Sequence, residues 1–177
     1  MKSIMPTNVS AVLLEAGFLN TQQALFDELL RLVTWDERMQ ARKTASFGKP
    51  YDYSQMNYQP AELLPCLVEL RERLQQRLGV AFNNCLANYY ETGENRMGYH
   101  ADDTSGLIDG TGVAIVSLGS VRTISFRAID NDARAQYELE PGSLLYMDAE
   151  VQTAWKHAIN RQPDAGPRIS LTWRAVR

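Results

Sequence analysis

The chain contains only two histidines, and both lie where they could bind one metal ion. His100 is followed two residues later by Asp102, and His157 lies further along the chain. On an extended strand or at its end, residues two apart point to the same side, so an imidazole and a carboxylate can meet one ion. Two imidazoles and one carboxylate are the donors of mononuclear Fe(II) sites with open coordination positions. The sequence therefore predicts an iron site at His100, Asp102 and His157.

A second polar pattern follows, in the segment from Arg168 to Arg174. Alternation along a strand would place Arg168, Ser170, Thr172 and Arg174 on one face and three apolar residues on the other. A buried guanidinium is costly unless it is paired, and a small dicarboxylate would give each arginine a carboxylate partner. The alternative is a solvated polar face, which is common in antiparallel sheets. Beside an iron site, 2-oxoglutarate is the better explanation.

Asn88 and Tyr90 alternate in the same way on a strand predicted ahead of His100. An amide and a phenol can complete a carboxylate-binding site. Without the other two patterns they would be ordinary strand residues, so this prediction depends on the predicted iron site and the arginine pair.

Length and composition predict one domain, residues 1–177, with 45% hydrophobic and 22% charged residues. A formal net charge of −3 argues against a uniformly basic surface that would bind nucleic acid nonspecifically, but it permits a local basic surface.

Cys66 and Cys85 match no zinc or redox spacing, which indicates buried free thiols in a reducing compartment. Without a convincing signal peptide or membrane-spanning run, we expect a cytoplasmic monomer with no membrane partner.

Helical patterns come first and strand patterns follow. Helices are predicted at 21–33 and after Pro60, the second ending near Gly79, so that residues 1–80 form a helical buttress. Residues 81–177 would form the catalytic core, with strands at 85–90, 112–117, 123–128, 135–139, 143–147 and 169–173. This order predicts an α+β, mainly β fold: a jelly-roll barrel, or double-stranded β-helix, buttressed by N-terminal helices.

Taken together, these residues resemble the AlkB family of Fe(II)- and 2-oxoglutarate-dependent dioxygenases. That family's pattern runs Asn-x-Tyr, His-x-Asp, a distant His and Arg-x5-Arg, and the chain matches each part. Residues 42–48 and 51–54 resemble the family's nucleotide-recognition lid, at about 36–58. Residues 142–145 and 153–157 resemble its nucleic-acid-repair branch. The resemblance covers about residues 40–177 and is specific as a set.

The resemblance implies roles for individual residues. It implies that the Fe(II) ligands, which are also the catalytic residues, are His100, Asp102 and His157, with O2 as a further substrate. It implies 2-oxoglutarate binding by Asn88, Tyr90, Arg168, Ser170, Thr172 and Arg174. Ser170 stands where many relatives have Asn, and its hydroxyl reaches less far. The residues implied to contact the damaged base are Arg42, Tyr51, Tyr53 and Asp103.

The function implied by the resemblance is oxidative dealkylation of N-alkylated bases such as N1-methyladenine and N3-methylcytosine in DNA. Oxidation of 2-oxoglutarate to succinate would be coupled to hydroxylation of the alkyl group, which leaves as an aldehyde. The target base must be flipped out of its stack or come from a single strand. Trp35 is expected to be a core residue, with a wedge between base steps as the alternative.

Two other functions remain open from the sequence. One is a 2-oxoglutarate oxygenase that acts on RNA, protein or a small molecule. The other is a non-catalytic protein that binds damaged bases on the same fold.

Overall fold

The computed structural model describes residue 9, residues 11–51 and residues 57–177. Within these residues the chain forms strands and helices in the following order. They are β1 (Val12–Glu15), α1 (Gln22–Leu32), β2 (Lys43–Gly48), α2 (Pro65–Leu78), β3 (Asn84–Tyr90), β4 (Met97–His100), β5 (Val113–Gly119), β6 (Arg122–Ala128), β7 (Arg134–Leu139), β8 (Leu144–Met147), α3 (Ala149–Ala154), β9 (Trp155–Ile159) and β10 (Arg168–Arg174).

The strands form two antiparallel sheets. The major sheet has the order β1-β8-β5-β10-β3-β2, and the minor sheet has the order β4-β9-β6-β7. Apolar side chains of both sheets, including Ile115 of β5 and Phe126 of β6, form one buried cluster between them. This arrangement confirms the predicted mainly β jelly-roll class, and it leaves a space between the sheets in which polar side chains can also meet.

The two predicted helices are present and cover the major sheet. Helix α1 has a buried face that begins at Leu25, and α2 has one that begins at Leu67. Both faces pack in a cluster that includes Trp173 of β10. Gly79 ends α2 in a left-handed conformation (φ 69°), as its position after the helix predicts. No helix among the described residues has both the length and the apolar character needed to cross a membrane.

Strand β10 lies in the middle of the major sheet, between β3 and β5. Its register places Ser170 opposite Asn88 on one side and Ser117 on the other. Its apolar side chains face the helices and its polar ones face the space between the sheets. The predicted alternation is therefore confirmed, and the alternative of a solvated polar face is wrong, because all seven β10 residues are buried.

Several elements were absent from the sequence prediction. Strand β2 lies within the segment expected to be lid, where it pairs with β3 along its whole length. Strands β1, β4 and β9 and helix α3 were also not predicted, because they are short and lack a clear apolar period. Both cysteines are free thiols as expected, although Cys66 is only partly buried.

Candidate metal and co-substrate site

The pairing of β4 with β9 brings the two histidines together. His100 ends β4 and lies directly opposite His157 in the register of the two strands. Their ring centroids are 4.3 Å apart. Asp102 follows the end of β4, and one ligand atom from each of the three residues lies within 4.8 Å of the other two. Small side-chain adjustments are enough for all three to hold one ion.

The two imidazoles have the protonation state that metal binding requires. Nδ1 of His100 lies 2.9 Å from the carbonyl oxygen of Gly98, so Nδ1 carries the proton and Nε2 keeps its lone pair. Burial lowers the pKa of His100. Burial, with the neighbouring His100, lowers the pKa of His157 to about 3. Both rings are therefore neutral near pH 7, as metal ligands must be.

The carboxylate of Asp102 is ionised and held in place by Arg174. Nε of Arg174 donates a hydrogen bond of 2.7 Å to Oδ2 of Asp102, and both side chains are at most 4% exposed. Burial raises the pKa of Asp102, but the charge and hydrogen bond of Arg174 outweigh it and leave the pKa below its ordinary value. Oδ1 is buried and has no hydrogen-bond partner among the described residues. A metal ion would supply the missing partner, so these residues fit a divalent cation.

Gln152 of α3 positions the same aspartate through its backbone. Oε1 of Gln152 accepts a hydrogen bond of 2.7 Å from the amide nitrogen of Asp102, and the side chain is 4% exposed. Sequence reasoning missed this residue, and only its place five residues before His157 on a polar segment could have suggested it. Side chains that hydrogen-bond to a metal-binding residue in this way fix its orientation towards the ion.

Arg168 provides a buried cation in the same pocket. Its Nη2 donates a hydrogen bond of 2.9 Å to Oγ of Ser117, while Nε and Nη1 have no hydrogen-bond partner among the described residues. Burial lowers the pKa of Arg168 to about 10, so the guanidinium stays charged at neutral pH. A buried charge with two unmatched donors is costly, and a carboxylate would satisfy both donors at once.

Arg122 of β6 is a second buried arginine near Arg168 that sequence reasoning missed. Its side chain is inaccessible, and Nη2 donates to the carbonyl oxygens of Asn95 and Asn160, each at 2.7 Å. The ring of Tyr90 lies close to both arginines, with its centroid 5.3 Å from Cζ of Arg122 and 5.2 Å from Cζ of Arg168. The two cations therefore fix the orientation of this phenol.

The pocket brings together the two histidines and the residues expected to bind 2-oxoglutarate. Its polar lining consists of Arg42, Asn88, Tyr90, His100, His157, Arg168, Ser170, Thr172 and Arg174. Arg42, which the family pattern places in the lid, is buried here: its Nε donates to Oδ1 of Asn88 at 2.8 Å. Arg42 thus forms part of the pocket wall, and a direct contact with the base stays a prediction.

The remaining expected base contacts lie close to the triad or outside the described residues. Tyr51 is buried, its ring centroid is 4.4 Å from Cζ of Arg174, and its hydroxyl donates to the carbonyl oxygen of Asp103 at 3.2 Å. The Asp103 carboxylate accepts a hydrogen bond from the amide of Ser105 at the start of a short 3-10 turn. Tyr53 lies outside the described residues.

Trp35 packs against the main core cluster, and its ring centroid is 5.2 Å from that of Tyr89. This contact supports the core role that was expected for it.

Comparison with known proteins agrees with this geometry. The family model described as the 2OG-Fe(II) oxygenase superfamily matches residues 19–174. The alpha-ketoglutarate-dependent dioxygenase alkB homolog 3 of Mus musculus is 30% identical over 98% of this chain and 69% of its own length. The DNA oxidative demethylase ALKBH2 of Bos taurus is 32% identical over 76% of this chain and 53% of its own length.

A solved structure also has this fold. "The structure of OsALKBH1" aligns with a TM-score of 0.67 at 18% identity, covering 97% of this chain and 99% of its own. Fold, triad and family match thus define an Fe(II)- and 2-oxoglutarate-dependent dioxygenase, an enzyme class that uses Fe(II), 2-oxoglutarate and O2. Within that superfamily, the chain belongs to the AlkB family.

Proposed function

We propose that the protein removes alkyl groups from damaged bases in nucleic acid, with alkylated DNA as its principal substrate. The observation that carries the proposal is the single pocket that holds His100, His157, Arg168 and Arg174. The names of relatives support it, since one is a DNA oxidative demethylase. We propose N1-methyladenine and N3-methylcytosine as the lesions.

The chemistry follows from what the pocket would hold. His100, Asp102 and His157 would hold Fe(II), which would supply the oxidation by O2 of 2-oxoglutarate to succinate and CO2, coupled to hydroxylation of a C–H bond of the alkyl group on the base. The hydroxymethyl group of a methylated base then leaves as formaldehyde with loss of a proton, which restores the base. Arg174 holds Oδ2 of Asp102 and so would leave Oδ1 for the ion, and the two unmatched donors of Arg168 would bind a carboxylate of the co-substrate.

The walls of the pocket would keep water from the reacting groups. Between the two sheets the lining is apolar apart from the residues already named, and it includes Ile115, Ile124 and Met147. A base must leave its stack to reach this site. We propose Tyr51, which packs over Arg174, together with Tyr53 and Asp103, as contacts of such a base.

The test is incubation with Fe(II), 2-oxoglutarate and O2 on oligonucleotides that carry one N1-methyladenine or N3-methylcytosine. DNA and RNA, each single- and double-stranded, should be compared, with base composition and formaldehyde measured. We expect demethylation of DNA in step with succinate formation, and none with H100A, which removes an iron ligand. Succinate formation in the absence of demethylation on any DNA would contradict the proposal. It would turn attention to RNA, protein or small-molecule substrates.

A further inference from the structure

Three cationic side chains form one row across the outer face of the minor sheet. The strand register pairs Arg127 of β6 with Arg134 of β7 on one side and with Lys156 of β9 on the other. Their chain neighbours Phe126 and His157 face the interior, so alternation turns the three cations outwards. Directly opposed residues have Cβ atoms about 4.5–5.5 Å apart, and like charges at that spacing destabilise a sheet.

The protein itself does not neutralise this row. None of the three cations forms an ion pair with a carboxylate within the part of the chain that the structure describes. Asp130 and Asp132 lie in the turn between β6 and β7 but pair with none of them. The three cations therefore face one another without a paired carboxylate among the described residues, and an anion laid across the three strands would reduce their repulsion.

The row lies directly behind the triad. Lys156 precedes His157 on β9, and Tyr99 precedes His100 on β4. Cζ of Arg127 lies 4.2 Å from the ring centroid of Tyr99, so the cations and this aromatic side chain form one continuous surface. That surface is carried by the same two strands that present the histidines on their other face.

A groove of about 520 Å³ adjoins this surface, and its lining combines apolar side chains such as Phe126 with polar ones and one carboxylate, that of Asp132. Tyr99, Arg134 and Gln136 line it, and Nε2 of Gln136 lies 3.3 Å from Oγ of Ser125. A row of cations at the interstrand distance of about 4.8 Å suits a flexible polyanion, whose successive charges can follow the row. An aromatic ring under a guanidinium suits a neighbouring base. Phosphodiester charge and base stacking together identify nucleic acid as the partner.

We propose that Arg127, Arg134 and Lys156, together with Tyr99, on the outer face of the minor sheet, bind the backbone of the nucleic-acid strand whose base enters the iron site. The inference rests on the proposed function and deepens it, since it names the surface along which the strand runs. It also explains how a chain with a net charge of −3 binds a polyanion: the positive charge is local.

The test uses a double variant, R134Q/K156Q, that leaves the Arg127–Tyr99 contact in place. Its matched control is R31Q/R71Q, which removes two cations from the helices that cover the other sheet. Binding to a fluorescent single-stranded DNA with one N1-methyladenine is measured by anisotropy over a range of salt concentrations. We expect the row variant to bind about tenfold more weakly at low salt, and the control to bind like wild type. The salt slope of log K should fall by about 1.4, at about 0.7 for each lost contact with single-stranded nucleic acid.

Two readouts separate the possible failures. Conversion of 2-oxoglutarate to succinate without any oligonucleotide shows that the iron site of each variant is intact. If wild type binds the DNA and R134Q/K156Q binds it equally well with the same salt slope, the row does not contact nucleic acid. The inference then fails, while the proposed function stands. If wild type neither binds nor demethylates any oligonucleotide, the proposed function fails and the inference with it. A change in oligomeric state with unchanged DNA binding would assign the row to a protein partner instead and overturn the inference.

Discussion

At the scale of single residues, the site depends on charges that are buried before any ligand arrives. Arg168 is 1% exposed and has two donors without a partner among the described residues. Such a group is retained at a cost to stability, because replacing a buried charge by an apolar side chain of similar size is often neutral or stabilising. The presence of a buried arginine at this position is therefore explained by ligand binding rather than by a gain in folding stability.

Replacing Arg168 should therefore separate stability from binding. We expect R168M to bind 2-oxoglutarate at least about 30-fold more weakly, because a buried charge-assisted pair is worth about 2–5 kcal/mol. Its free energy of unfolding should fall by no more than about 1 kcal/mol. Calorimetric titration of the Co(II)-loaded protein and urea unfolding measure the two quantities, with R31M on α1 as the control. Binding within threefold of wild type would remove Arg168 from the co-substrate site.

At the scale of elements, α3 connects β8 to β9 and holds the loop that carries Asp102. Asp148 caps the start of the helix, where its carboxylate accepts a hydrogen bond from the amide of Glu150, and Gln152 follows one turn later. The short helix thus links His157, the proposed third metal ligand on β9, with the backbone of Asp102, the proposed second ligand. A six-residue helix has little intrinsic stability, so α3 contributes by placing Gln152 against the backbone of Asp102.

The effect of Gln152 on metal binding can be measured directly. Q152L leaves the buried amide of Asp102 without an acceptor, and we expect metal affinity to fall about 10- to 100-fold. The metal-free protein should lose about 1–3 kcal/mol of unfolding free energy. Co(II) titration followed by absorbance gives the affinity. T153A, in the same helix but exposed, should bind Co(II) like wild type; an equal loss in both variants would show a general effect of the helix.

The two faces of β10 have different roles: one packs in the hydrophobic core and the other lines the pocket. Leu171 is fully buried against the helices, whereas Thr172 lines the pocket. We expect L171A to lower the free energy of unfolding by about 2–5 kcal/mol, since it leaves a cavity in the core. T172A should lower it by about 1 kcal/mol or less. Urea unfolding measures both changes, provided that the m-values of the variants equal that of wild type. If L171A and T172A lost the same free energy of unfolding, the two faces of β10 would contribute equally to stability and the prediction would be wrong.

At the scale of the whole molecule, the ligands would bridge the two sheets. His157 belongs to the minor sheet, while Arg168 and Arg174 belong to the major one. A metal ion with 2-oxoglutarate would therefore tie the two layers together across the space between them. Whatever binds only the folded state stabilises it by mass action.

Ligand binding should accordingly raise the melting temperature. With Mn(II) and 2-oxoglutarate each at about 100 times its Kd, we expect Tm to rise by at least about 5–10 °C. H100A should show no increase with Mn(II) and little with 2-oxoglutarate, because the ion that anchors the co-substrate is not held. Differential scanning calorimetry measures these shifts. A full increase in H100A would mean that the metal binds elsewhere.

Sequence alone determined the patterns that are local in the chain. The alternation of Arg168 to Arg174, the short His100–Asp102 spacing and the leucine periods of α1 and α2 each follow from backbone geometry, which acts over a few residues. These patterns were enough to identify the fold class, the triad and the arginine pair.

Only the tertiary structure decided how distant segments meet. The opposition of His100 and His157 comes from strand pairing, the buried place of Arg42 from β2 pairing with β3, and the hold of Gln152 on Asp102 from the position of α3. Likewise, the row from Arg134 through Arg127 to Lys156 exists only in the register of three strands. Contacts of this kind depend on register, and a shift of one residue in any strand would turn its side chains to the other face.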